Sequence, residues 1–200
     1  MQQRIGTITR NTKETQINLT INLDGSGKAD ISTGIGFFDH MLNSFARHGL
    51  FDLTVKATGD LEVDCHHTIE DVGIVLGQAI AQAVGDKKSI CRYGDCILPM
   101  DEALILCAID LSGRPYLCYE ASISSERVGG FDTEMAKEFF YAISYSASMN
   151  LHIRQLAGEN SHHIIEGMFK ALQRHLTRQQ LQIRALQMYF QQREVCKKGW

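Results

Sequence analysis

Two short stretches carry most of the chemistry in this sequence. His66-His67-Thr68-Ile69-Glu70 and His162-His163-Ile164-Ile165-Glu166 are one His-His-x-Ile-Glu pattern, repeated 96 residues apart. Two imidazoles and a carboxylate within one helical turn form a donor set for a first-row divalent metal. On a helix the second histidine and the glutamate are i and i+3, about 5–6 Å apart on one face, close enough to share an ion. The first histidine is rotated by about 100° and is free to reach a different ion. Two such units related by an approximate twofold predict two sites, one of His67 and Glu70 with His162, the other of His163 and Glu166 with His66. A glycine precedes each motif, Gly59 and Gly158; His40 lies 19 residues before the first and Glu138 lies 20 before the second, and these two residues complete the sets. Mixed imidazole and carboxylate ligation suits Mn, Fe or Zn, and three carboxylates among the eight ligands favour manganese over the other divalent metals. A single His-His pair at a helix start is commonly a surface feature; it is the duplication in register that points to metal. No glutamate stands between the histidines as in the HExxH zinc hydrolases, so hydrolysis is not implied.

A second group of residues is basic. Arg92, Arg114, Lys170 and the tail residues Lys197 and Lys198 fall in or beside loops or on the second motif helix, and together they could clamp a phosphate. Taken singly, each is an ordinary surface charge. Lys170 stands out because it is i+4 from Glu166, the spacing that also makes a plain helix salt bridge.

The elements that must position these groups follow from periodicity. Ile5, Thr7 and Thr9, then residues 15–23 (TQINLTINL), alternate as half-buried strands do, and Asp24-Gly25-Ser26-Gly27 reads as the turn that ends them. Helical spacing covers residues 37–48 and 68–84, stopped by Gly49 and Gly85, with a strand at 50–58 between them. The order then recurs: strands at 103–109 and 115–121, a helix at 131–148, a strand at 150–157 and a helix from 161 to 180 or beyond. Cys107 and Cys118 read as small core residues of these strands.

Composition bounds the rest. The 200 residues are 44% hydrophobic, enough for a real core. Twenty Lys and Arg against 23 Asp and Glu give a net charge of −3, so there is no global basic field for nucleic acid or an anionic membrane. No apolar run approaches the roughly 20 residues of a membrane helix, and the start lacks the apolar stretch of a signal peptide. Six cysteines without a CxxC fit a reduced, cytoplasmic protein. Length alone allows one domain or two; the motif offset divides the chain into halves, 1–92 and 93–200, fused without a linker.

The segments GIGFFDHML (34 to 42), GDLEVDCHHTIEDVGIVLG (59 to 77), RYG (92 to 94), PMDEAL with DLSGRP (99 to 115) and LHIRQLAGENSHHIIEGMFKA (151 to 171) resemble the imidazoleglycerol-phosphate dehydratase family of histidine biosynthesis, over essentially the whole chain. The resemblance implies an α+β fold of two fused pseudo-repeats, each a four-stranded sheet on two helices, of the ribosomal protein S5 domain 2-like kind. It also implies a homo-oligomer, a 24-subunit shell with two Mn2+ per active site held at subunit interfaces. It assigns one ion to His40, His67, Glu70 and His162. The other falls to His66, His163, Glu166 and Glu138, where Glu138 occupies a position that is usually histidine.

The same resemblance gives the small-molecule phosphate substrate contacts at Arg92, Arg114 and Lys170, and at a C-terminal Ser-Thr-Lys-Gly that reads Cys196-Lys197-Lys198-Gly199 here. Glu14 matches a substrate-contacting glutamate, and the metal-binding histidines and Glu70 also face substrate. His152 and Asn160 match family positions that either contact substrate or support the site, and Asp71 and Asp101 are expected just behind the ligands. The implied reaction removes water from D-erythro-imidazole-glycerol phosphate to give imidazole acetol phosphate, with Glu14 or Glu166 as base and a metal-bound water or His48 as acid. Two rivals fit part of the pattern: a dinuclear metal phosphoesterase, and an assembly protein whose metals only staple subunits.

Overall fold

A computed structural model describes residues 3–88, 90–174 and 176. The first half runs β1 (Ile5–Asn11), β2 (Thr15–Asn22), β3 (Ala29–Ser32), α1 (Gly36–Gly49), β4 (Asp52–Gly59) and α2 (His66–Val84). The second runs β5 (Tyr93–Met100), β6 (Ala103–Asp110), β7 (Tyr116–Glu120), the short pair β8 (Arg127–Val128) and β9 (Phe131–Asp132), α3 (Met135–Ser146), β10 (Asn150–Ala157), and a last helix, α4, over 161–174.

The two sheets have matching strand orders, β1-β2-β4-β3 and β5-β6-β10-β7. In each, the first three strands are antiparallel and the fourth joins parallel to its neighbour, β3 on β4 and β7 on β10. The repeat seen in the motifs is therefore a repeat of the fold, and the chain is α+β as its sequence predicts. β1, β2, β4, β3 and α1, α2 correspond in order to β5, β6, β10, β7 and α3, α4.

Alternation sets which faces meet. Ile17, Leu19 and Ile21 on β2, and Ala103, Ile105, Cys107 and Ile109 on β6, point inward at every second position and are buried. The helices cover these faces and join the halves. Phe38 of α1 lies edge-on to Phe139 of α3 at 5.1 Å, and Phe139 stacks on Phe169 of α4 at 4.9 Å, within one continuous core. This aromatic junction brings the start of α1, from the first half, beside the start of α4, from the second.

Several expectations need correction. β3 and β5 are strands that periodicity did not reveal. Both lie at sheet edges, where one side of the ladder is open and few side chains are buried, so β5 tolerates Pro99 and β3 is only four residues long. α2 begins at His66 rather than at 68. α3 begins at Met135, because Phe131 and Asp132 pair with Arg127 and Val128 instead of entering the helix. Cys107 is fully buried, but Cys118 lies half-buried on edge strand β7, its thiol 3.6 Å from Glu120 Oε1.

Candidate metal centre

Each motif is delivered by a helix start that is itself anchored. Asp64 Oδ1 accepts the main-chain N–H of His66 at 2.7 Å, and Asn160 Oδ1 accepts those of His162 at 2.9 Å and His163 at 3.3 Å. Both anchors stand two residues before the first histidine and satisfy amides that a helix leaves free at its N-terminus. This gives Asn160 a supporting role. The preceding glycines are required by close approach: a Cβ at Gly59 would lie 2.0 Å from Thr68 Oγ1, and one at Gly158, where φ is +119°, 2.7 Å from Ala103 Cα. The start of α1 is braced by Thr33, whose hydroxyl donates to Asp39 at 2.6 Å, next to His40.

Three predicted ligands converge within one chain. One donor atom each from His40, His162 and Glu166 lies within 4.8 Å of the others. His162 Nε2 is 3.4 Å from Glu166 Oε2, and the His40 and His162 ring centres are 5.9 Å apart. Glu166 is buried, and its second oxygen accepts Lys170 Nζ at 2.8 Å. Burial alone would raise the Glu166 carboxyl, but the Lys170 hydrogen bond and charge, with His40 and His162, hold it below its usual range. Two imidazoles and an ionised carboxylate this close together fit a divalent ion, and three donors leave its remaining positions to further ligands.

This grouping differs from the one that helix spacing gave. His40 and His162 share a set as expected, but Glu166 joins them rather than the set of His163. The first half repeats the arrangement, with His66 Nε2 3.8 Å from Glu70 Oε2. In both motifs the glutamate faces the first histidine at i,i+4. The physical reason lies in the helix: i+4 is offset by about 40° around the axis and i+3 by about 60° the other way, so both are in reach and outside contacts decide. The second histidine is drawn off by another carboxylate: Asp60 Oδ2 lies 2.9 Å from His67 Nδ1 and Glu102 Oε2 lies 2.7 Å from His163 Nδ1. Those hydrogen bonds raise the two histidines above the ordinary imidazole value, and the His163 bond, with the N–H of Asn160, holds Glu102 at about 2.

Glu138, the counterpart of His40 on α3, is half-buried, and its charge and that of Glu70 both act on Tyr141. Glu138, His66 and Glu70 therefore occupy places equivalent to His40, His162 and Glu166, without closing to the same spacing among the described residues.

The remaining candidates divide by place. His48 lies exposed on α1 and lines a 360 Å³ cavity with His40, Asn43, Arg47 and Glu166; burial first, then the Lys170 charge, lowers its pKa. Glu14 is exposed in the β1–β2 turn, its carbonyl accepting the N–H of Asp60, and its charge reaches His67. Asp101 Oδ2 is 3.5 Å from His163 Nε2. Asp71 departs from its expected place: it accepts Thr15 Oγ1 at 2.5 Å and Arg10 Nε at 2.9 Å, pinning the β1–β2 hairpin to α2.

Arg92 and Arg114 do not meet the histidines within one chain. Arg92 pairs with Asp110 at 2.6 Å and Arg114 is exposed beyond that strand end, whereas His163 lies by the opposite end of the sheet. Eight residues of β6 separate these ends, about 20 Å. His152 sits on β10 beside Tyr116, ring centres 6.0 Å apart. Lys197 and Lys198 lie outside the described residues. Asp60 and Glu102 were missed by sequence reasoning. For Asp60 a signal existed in its position seven residues before His67; for Glu102, 61 residues from its histidine, only the strand pairing supplies one.

Comparison with known proteins bears on these residues together. The profile of the imidazoleglycerol-phosphate dehydratase family matches residues 33–176. Imidazoleglycerol-phosphate dehydratase of Lachnoclostridium phytofermentans is 66% identical over 168 residues, covering 84% of this chain and 86% of that protein. The enzyme of Acetivibrio thermocellus is 63% identical over 169 residues, 84% and 87% of the two chains. The crystal structure of imidazoleglycerol-phosphate dehydratase from Staphylococcus aureus superposes with a TM-score of 0.78 at 43% identity, over 86% of this chain and 96% of that one. That from Pyrococcus furiosus gives 0.75 at 38%, over 85% and 91%.

Proposed function

This chain belongs to the imidazoleglycerol-phosphate dehydratase family, and on that premise we propose how its own residues serve the reaction. It is a hydro-lyase of histidine biosynthesis, converting imidazole-glycerol phosphate to imidazole acetol phosphate by loss of water. The family favours this reaction over a phosphoesterase or a purely structural assembly role, which fit only part of the pattern.

His40, His66, His67, Glu70, Glu138, His162, His163 and Glu166 are the residues that would hold two divalent ions per active site, manganese being favoured by the carboxylates among them. Such ions, when bound, supply Lewis acidity that stabilises negative charge on the substrate imidazole. The observation that carries this reading is the convergence of His40, His162 and Glu166 from two halves of the chain. Because the described residues of one chain gather only these three, and because Arg92 and Arg114 lie at the far end of their sheet, a complete site draws on more than one copy. A homo-oligomer, with 24 subunits as the family resemblance suggests, would bring the arginines of one copy to the histidines of another. Lys170 then joins Arg92, Arg114 and the tail residues Lys197 and Lys198 around the substrate phosphate.

Two groups remain for moving protons. Glu166 is engaged by Lys170, His40 and His162 and serves as a ligand. Glu14 is exposed beside His67, with no hydrogen-bonded partner for its carboxylate among the described residues, and is the better base. His48, whose imidazole burial first and then the Lys170 charge favour in the neutral form, orients the leaving hydroxyl, and would protonate it only from its imidazolium form. In this reading the substrate is a small metabolite, no nucleic-acid or membrane partner is expected, and a biosynthetic role is consistent with a cytoplasmic location. No described helix is long and apolar enough to cross a membrane.

The test is formation of the ketone product from imidazole-glycerol phosphate by purified protein with and without Mn2+. A metal-replete sample that forms none refutes the function. Glu14→Gln is expected to lower turnover by at least about 100-fold; near-normal turnover removes Glu14 as the base.

A further inference from the structure

The second histidine of each motif is held in one way from two unrelated places. His67 Nδ1 meets Asp60 at 2.9 and 3.2 Å, and His163 Nδ1 meets Glu102 at 2.7 Å. Asp60 immediately follows β4. Glu102 sits in the β5–β6 turn, and the equivalent turn of the first half, between β1 and β2, bears Glu14 instead. The pseudo-repeat thus reproduces the histidine but not its carboxylate. A contact inherited with the fold would come from equivalent positions; one rebuilt from different positions answers a demand made by the histidine itself. Glu102 is also fixed from behind, its other oxygen accepting the N–H of Asn160 at 2.9 Å. A carboxylate facing Nδ1 accepts the hydrogen bond of Nδ1–H, which keeps the proton on that nitrogen, orients the ring and leaves Nε2 as the lone-pair donor. At His163, Nε2 lies 3.5 Å from Asp101, whose side chain is 71% exposed.

We propose that Asp60 and Glu102 are positioning residues that lock His67 and His163 in the Nδ1–H form with Nε2 presented to a divalent ion. The use of Asp60 in the first half releases the turn glutamate, Glu14, for proton transfer. The proposal rests on the reading that the motif histidines bind metal. It is tested by titrating metal-free protein with Mn2+ and reading free Mn2+ by electron paramagnetic resonance, with thermal unfolding of the metal-free samples alongside. Asp60→Ala is expected to weaken Mn2+ binding by about 10–100-fold, and Asp60→Asn, whose amide oxygen can still accept from Nδ1, by less. Glu102→Gln keeps an acceptor for the Asn160 amide and should behave as Asp60→Asn does. Variants that bind Mn2+ as tightly as the unaltered chain overturn the proposal. So does an equal loss in Asp60→Ala and Asp60→Asn that tracks their unfolding temperatures, which would mark a purely structural role. An unaltered chain that binds no Mn2+ overturns the metal reading itself, and this inference with it.

Discussion

Replacing Lys170 by Met tests whether the buried charge arrangement at Glu166 is what the structure implies. The Nζ–Oε1 distance is 2.8 Å, with side chains 18% and 9% exposed. Surface ion pairs contribute about 0–1 kcal/mol, whereas removing one partner of a buried pair costs about 3–5 kcal/mol because the other charge is stranded. Lys170 keeps some access to water and the two histidines soften the loss, so the cost should be about 2–3 kcal/mol. Met retains the apolar stem, which packs against Met100 where the ammonium now lies 3.4 Å from its sulfur. For a chain of this length, each kcal/mol shifts the unfolding midpoint by about 2–4 °C. Metal-free Lys170→Met should therefore unfold about 5–10 °C lower by circular dichroism, at fixed protein concentration because assembly couples to stability. Adding Glu166→Gln should return part of the loss, since the stranded charge is gone. A fall under about 2 °C, or strict additivity in the double variant, refutes the argument that this pair is desolvated and coupled.

Other consequences are open to measurement. A Cβ at Gly77 of α2 would stand 2.7 Å from Ser146 Cβ and 2.8 Å from Ile143 O; Gly77→Ala should destabilise by about 1–2 kcal/mol, overpacking outweighing the gain in helix propensity, and a stabilised variant would deny the close α2–α3 crossing. Removing metal by chelation should shift the protein to smaller particles by mass photometry, and an unchanged size would contradict ligands shared between copies. Asp52 accepts the main-chain N–H of Ser26 at 2.8 Å and of Lys28 at 3.1 Å, and these bonds, Ser26 foremost, hold its carboxyl below 3.8. Its folded pKa is thus below its unfolded one, so its stabilisation is present above pH 3.8 and lost as pH falls further; the stability gap between Asp52→Asn and the unaltered chain should narrow in that range, and a constant gap would rule it out.

The sequence by itself determined the repeated order of strands and helices, the helices that carry the motifs and the choice of residues to weigh as metal ligands. Those features are local: helical and strand periods place Phe38, Ile69 and Ile105 inward, and a duplicated His-His-x-Ile-Glu is visible wherever the chain is read. Edge strands β3 and β5 were not legible, because an edge needs no continuous apolar face. The grouping of these candidates was not legible either. Within a helix turn Glu166 can face His162 or His163, and the choice fell to Glu102, which draws His163 aside, and to His40, brought in on α1 by the packed rings of Phe38, Phe139 and Phe169. Similarly, the sequence marked Arg92 and Arg114 as basic, but the length of β6 sets them about 20 Å from the histidines. Residue type and short spacing fix what each group can donate. Which groups meet is a through-space property, set by strand register and helix packing between segments far apart in the chain.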